Sequence, residues 1–137
     1  MKSISKSYTG KTVIVVDDDQ DFLDILKIYL ESFGFSVVTA SSYEMGLILL
    51  DEVIYDLAIF DLMMENADSG FVLSYNSKKK YPTIPVLILT SVANETGIRF
   101  DTLSEDKKAW IKADGVLNKN IRIEQLRKEI DRIFSTQ

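Results

Sequence analysis

The chain contains neither cysteine nor histidine. That removes thiolate chemistry, disulfides, an imidazole base and histidine-ligated metals together. Any chemistry must rest on carboxylates, hydroxyls and amines, with an oxygen-bound cation as the natural addition. The candidates are the run Asp17, Asp18 and Asp19, the separate Asp61, and the pair Thr90 and Lys119. Each stands at the end of a short apolar run: VIVV before Asp17, LAIF before Asp61, VLIL before Thr90 and VLN before Lys119. Taken singly, each has an ordinary explanation, since an Asp run caps helices or lines turns, Thr favours strands and Lys is a surface cation. The repetition of one arrangement along the chain makes the set specific.

The apolar runs are strands, and the segments between them carry helical periodicity, so the organisation reads βαβαβαβαβα. Residues 12–16 form the first strand, with the near-continuous apolar character of a strand covered on both faces. Phe22, Ile25, Leu26, Tyr29, Leu30 and Phe33 recur at helical spacing, and Gly34 is placed to end that helix in a left-handed conformation. Residues 35–39 give the second strand, and Ser41 with Glu44 reads as a capping box opening a helix over 43–50. Residues 57–60 read as the third strand, 70–80 as a helix and 85–89 as the fourth strand, with Pro82 and Pro85 keeping the approach extended. Residues 91–112 carry no clean amphipathic stripe and read as an irregular or helical crossover containing Trp110. A short strand over 115–117 and a closing helix bearing Ile123, Leu126, Ile130 and Ile133 complete the pattern.

Strands alternating with helices define an α/β fold with a doubly wound parallel sheet and helices on both faces. Ligands in such sheets bind beyond the carboxyl ends of the strands, where strand order reverses. With the order 2-1-3-4-5, carried over by analogy from sheets of this kind, the first and third strands are neighbours and their terminal carboxylates meet at that point. Clustered carboxylates repel and raise at least one pKa. A divalent cation relieves the repulsion, and an oxygen-only ligand set suits Mg²⁺ better than Zn²⁺. The alternative is a cluster neutralised by Lys119 alone.

At these residues the chain resembles the receiver domains of two-component response regulators over nearly its whole length. VIVVDDD matches the first-strand acidic motif, LAIFDLMM the phosphoacceptor strand, VLILTS the fourth-strand hydroxyl motif and VLNK the lysine motif. The resemblance implies a five-stranded, flavodoxin-like (βα)5 three-layer sandwich, with residues 1–10 an N-terminal extension and 11–137 the receiver. It implies that Asp17, Asp18, Asp61 and the backbone carbonyl of Met63 bind Mg²⁺. Asp61 is then the nucleophile that takes a phosphoryl group from a sensor histidine kinase or histidine phosphotransfer protein. Lys119 and Thr90 contact the transferring oxygens, and Ser91 leaves room for access. No organic cofactor is expected. Activity is confined to self-phosphorylation and self-dephosphorylation, and the output is association with a downstream protein, since no output domain follows the closing helix.

The chain departs from the family pattern in four places. Receivers often carry Tyr or Phe where this sequence has Val116, so an aromatic rotamer switch is not expected there. The usual proline after the lysine is Asn120; a cis bond there would cost about 3 kcal/mol, so the loop is either strained or differently built. The loop LMMENADSGF after Asp61 is one residue longer and lacks the common proline. The crossover before Lys119 is also long. These departures motivate a second reading, a receiver-like module that binds partners constitutively. A third, an Asp-nucleophile phosphatase, meets Met63 where such enzymes carry a second Asp.

Other properties bound these readings. The 137 residues suit one domain, and 46% hydrophobic with 27% charged residues is a folded rather than a disordered balance. A net charge of -5 argues against direct nucleic-acid binding. The apolar runs are far shorter than the roughly 18 residues of a membrane span, and MKSISKSYTGK lacks a signal-peptide core. A cytoplasmic protein is expected.

Overall fold

The computed structural model describes residues 7–62, 64, 69–91 and 113–135. Five strands, β1 (Thr12–Val16), β2 (Ser36–Ala40), β3 (Leu57–Asp61), β4 (Val86–Thr90) and β5 (Gly115–Asn118), form one parallel sheet in the order β2-β1-β3-β4-β5. The described helices are α1 (Gln20–Ser32), α2 (Tyr43–Glu52), α3 (Ser69–Lys80) and α4 (Ile123–Ser135). The expected crossover over 92–112, with Trp110, lies outside the described residues, as do Met63 and most of the loop after Asp61.

Two hydrophobic clusters, one on each side of the sheet, produce the three layers. Strand side chains alternate between faces: Val13, Val15, Leu57, Ile59, Leu87 and Leu89 join Leu23, Leu26 and Leu30 of α1 and Leu126, Ile130 and Ile133 of α4. Ile14, Val16, Ala58, Phe60, Val86 and Ile88 join Leu49 and Leu50 of α2 and Leu73 of α3. Central strands clothed on both faces must be apolar at every position, which is why they read as unbroken runs. Among the described residues no helix is long and apolar enough to cross a membrane.

The helix ends show how local sequence fixes the layers. Asp19 caps α1, its side chain accepting from the Phe22 N–H. At the other end the Gly34 N–H donates to Glu31 O and the Phe35 N–H to Leu30 O, with Gly34 at φ +113°, the double closure of a Schellman motif. This closure holds Phe35 back in the helix cap, so β2 begins at Ser36 rather than at residue 35. The cap of α2 is Ser42 and not the expected Ser41: Ser42 Oγ accepts from the Met45 N–H at 3.1 Å, and its carbonyl takes the first helical bond from Gly46. With Tyr43 as first helical residue, only Ser42 occupies the extended cap position.

Two aspartates that the sequence reading passed over tie the opposite edge of the sheet. Asp56, just before β3, donates its N–H to Thr12 O and accepts the Thr12 N–H on Oδ2 at 2.8 Å. Asp114, just before β5, treats Val86 in the same way at 2.8 Å. Each carboxylate satisfies the first N–H of a neighbouring strand, which would otherwise lack a ladder partner.

Residues ahead of β1 also pack on this frame. Tyr8 is buried, stacks on Phe35 with ring centroids 4.7 Å apart, and donates its hydroxyl to Asp131 Oδ1 on α4 at 2.5 Å. Burial, and then the hydrogen bond and charge of Asp131, push the Tyr8 hydroxyl pKa well up. Arg127 pairs with Asp131 and lies over the Tyr8 and Phe33 rings. The segment crosses Gly34 so closely that a Cβ there would stand 2.7 Å from Thr9 N. Gly34 is therefore required both for its dihedral and for this crossing.

Candidate functional site

The strand register gathers the candidate side chains at one edge. Val16 pairs with Phe60, which sets Asp17 and Asp61 beside each other at the carboxyl ends of β1 and β3. Thr90 pairs with Asn118, which places Lys119 one step beyond it, and the Lys119 N–H donates to Thr90 O at 3.0 Å. Asp61 and Thr90 are the last residues of their strands, whereas Asp17 and Lys119 follow theirs. Asp17, Asp61 and Thr90 are buried, at 1%, 6% and 4% exposure. Asp18 is exposed, as is Ser91.

Asp17, Asp18 and Asp61 each present a carboxylate oxygen within 4.8 Å of the others. Lys119 Nζ lies 2.8 Å from Asp17 Oδ2 and 3.8 Å from Asp61 Oδ2. Asp17 Oδ1 accepts the Asp19 N–H at 2.9 Å, which fixes the carboxylate over the start of α1. Its other oxygen, Oδ2, is buried and receives no well-angled hydrogen bond, so its contact with Lys119 is an ion pair, attractive at any angle. Three ionised carboxylates beside one ammonium leave -3 + 1 = -2.

The Asp61 carboxyl bears the consequence. Burial first, then the charge of Asp17, push its pKa up from 3.8 to about 7, with Lys119 pulling the other way and Asp18 adding to the rise. For Lys119, burial favours the neutral amine, but the hydrogen-bonding and charge of Asp17, followed by Asp61, outweigh it and the pKa is raised. The ammonium therefore stays charged at neutral pH.

These features fit a hard divalent cation. The donors are all oxygen, the excess charge is -2, and one buried carboxylate oxygen lacks a directed hydrogen bond. Met63, whose carbonyl is the remaining expected ligand, lies outside the described residues.

Asn120 closes the turn after Lys119 without a cis bond: among the described residues every peptide is trans, and the Asn120 N–H donates to Asn118 Oδ1 at 2.9 Å. Of the two expected alternatives for this loop, the structure has the different build. Val116 is half-buried against the α2 and α3 cluster. One neighbour of the site escaped the sequence reading: Phe22, assigned there to the core stripe of α1, lies with its ring under Lys119 Nζ, 4.7 Å from the centroid.

A doubly wound α/β protein with an acidic cluster and a lysine at its switch point is thus defined. Residues 13–131 match the response regulator receiver domain, and the chain belongs to that family. It is 43% identical over 85 residues to the transcriptional regulatory protein GlrR of Escherichia coli K12, covering 62% of this chain and 19% of GlrR. The chain spans about a fifth of the length of such relatives. A receiver domain structure from Clostridium thermocellum is similar at a TM-score of 0.74, with 26% identity and 92% and 95% of the two chains covered. The response regulator TrrA of Thermotoga maritima, solved in complex with Mg(2+)-BeF, is similar in fold at a TM-score of 0.73, with 24% identity and 90% and 98% coverage.

Proposed function

We propose that the chain is a phosphoacceptor of a two-component system, in which Asp61 takes a phosphoryl group from a histidine kinase or histidine phosphotransfer protein. The observation that carries the proposal is the meeting of Asp17, Asp18 and Asp61 within 4.8 Å, with Lys119 bridging Asp17 and Asp61. Residues 11–137 make up the receiver, with residues 1–10 an extension anchored at Tyr8.

In the reaction an oxygen of ionised Asp61 attacks phosphorus; an O–P bond forms, the N–P bond of the donor phosphohistidine breaks, and the leaving imidazole takes up a proton. The chain has no histidine of its own, so the donor is another molecule. Asp17, Asp18, Asp61 and the Met63 carbonyl would hold Mg²⁺. When bound, the ion offsets carboxylate charge and the charge on the phosphoryl oxygens. Lys119 stands beside the Asp61 oxygens to neutralise charge there. The Thr90 hydroxyl, one backbone bond from Lys119, is the group to meet a phosphoryl oxygen. No turnover beyond forming and losing the acyl phosphate is proposed.

The resulting change would alter association with a downstream protein in the cytoplasm; the net charge of -5 favours protein over nucleic-acid contacts. Intact-mass measurement after incubation with acetyl phosphate and Mg²⁺ tests the assignment. A single phosphoryl adduct on wild type that Asp61→Ala lacks is expected; an adduct of equal yield on both would defeat it.

Val116 favours a second reading, because the half-buried valine supplies no aromatic ring to follow phosphorylation. On that reading the domain binds its partner constitutively. Backbone NMR with Mg²⁺ and beryllofluoride separates the two: shift changes confined to the acidic pocket favour the constitutive module, and changes reaching β5 and α4 favour the switch.

A further inference from the structure

We propose that Phe22 is a positioning residue, whose ring face seats the Lys119 ammonium beside Asp17 and Asp61. The argument starts from lysine itself. Its ammonium is a compact charge at the end of a flexible stem, and nothing in the stem fixes where the charge rests. Here the ammonium lies between a carboxylate at 2.8 Å and a ring centroid at 4.7 Å. A cation within about 6 Å of an aromatic face is attracted by the ring quadrupole, and more strongly where water is thinned. The Lys119 side chain is only 18% exposed.

The contacts form a closed circuit. Asp17 Oδ1 accepts the Asp19 N–H at 2.9 Å, the Asp19 side chain accepts the Phe22 N–H at 3.2 Å, the Phe22 ring faces the ammonium, and the ammonium returns to Asp17 Oδ2. The first turn of α1 thereby holds both the carboxylate and the ring that locate the charge. A purely packing role would need only apolar volume at residue 22, because Phe22 also borders the core on the α1 and α4 side. The position of a cation over the ring face is what distinguishes the two.

The inference rests on the proposed phosphoacceptor reading for its purpose, but the seat can be measured without it. In the wild-type protein the Lys119 ε-methylene protons should show upfield ring-current shifts that vanish in Phe22→Leu and persist in Phe22→Tyr. The rate of Asp61 phosphorylation by acetyl phosphate with Mg²⁺ should fall about threefold to tenfold in Phe22→Leu and return to within about twofold in Phe22→Tyr. Mono-, di- and trifluorophenylalanine at position 22, which weaken the quadrupole with little change of shape, should lower the rate stepwise. Identical ε-methylene shifts in the Phe and Leu proteins, or a rate flat across the fluorinated series, would overturn the seat. If wild type forms no acyl phosphate while the ε-methylene shifts still follow residue 22, the phosphoacceptor reading falls and the seat stands.

Discussion

Replacing Asp61 with asparagine removes one charge from the acidic pocket and keeps the shape, which isolates the electrostatic strain there. In cation-free protein the Asp61 carboxyl is raised from 3.8 to about 7, by burial first and by Asp17 second. The folded state therefore binds this proton more tightly than the unfolded chain. For a raised folded-state pKa, the contribution to stability is complete below about pH 4 and is lost as the pH rises through about 7. Each pH unit between the two values is worth about 1.4 kcal/mol, so ionised Asp61 can weaken the fold at pH 8 by at most ~4 kcal/mol. Water entering the pocket and the attraction of Lys119, 3.8 Å away, reduce the net effect. Asp61→Asn should then exceed wild type by ~1–3 kcal/mol at pH 8 in EDTA, and the gap should narrow by ~1–2 kcal/mol at pH 5. Urea unfolding followed by circular dichroism at the two pH values gives both numbers. Because every other carboxyl titrates alike in the two proteins, a gap that does not change between pH 8 and pH 5 refutes the reasoning.

Three further substitutions probe the frame around the site. Tyr8→Ala should destabilise by ~3–5 kcal/mol, since it empties the space beside Phe35, whereas Tyr8→Phe should cost ~1 kcal/mol because Asp131 keeps Arg127; urea midpoints decide. Gly70→Ala would drive a Cβ into Asp61 O and to 2.6 Å from Leu62 Cα, so ~1–3 kcal/mol of stability should go, with weaker Mg²⁺ binding by calorimetry. Wild-type stability and Mg²⁺ affinity in that variant would contradict the packing. Ser42→Ala should lose ~1 kcal/mol and Ser41→Ala less than ~0.5 kcal/mol, a contrast in melting that checks which serine caps α2.

The strands and the acidic cluster were legible in the sequence because a strand buried on both faces must be apolar throughout, and a polar residue after such a run has to emerge at the sheet edge. What was not legible depended on contacts between distant segments. Tyr8 sits in a polar flank, and its burial exists only because α4 returns to cover it. Phe22 satisfied the helical stripe, so its periodicity gave no hint of the ammonium brought to it from beyond β5. Ser41 and Ser42 are chemically equivalent, and one residue of register decided between them. Asp56 and Asp114 did leave a signal, an aspartate one residue ahead of each of two strands, but its meaning lies in a neighbouring strand's N–H.

The hydrogen bond from Tyr8 to Asp131 joins positions 123 apart in the chain. A contact of such separation closes a very large loop, and its attraction is gained only after much of the ordering cost has been met. It belongs to the last stage of folding and is absent from the barrier. Interactions of that kind leave the folding rate unchanged and slow the escape from the native state. The anchor ahead of β1 therefore acts on lifetime: weakening it would shorten how long each molecule stays folded, with little effect on how fast it folds.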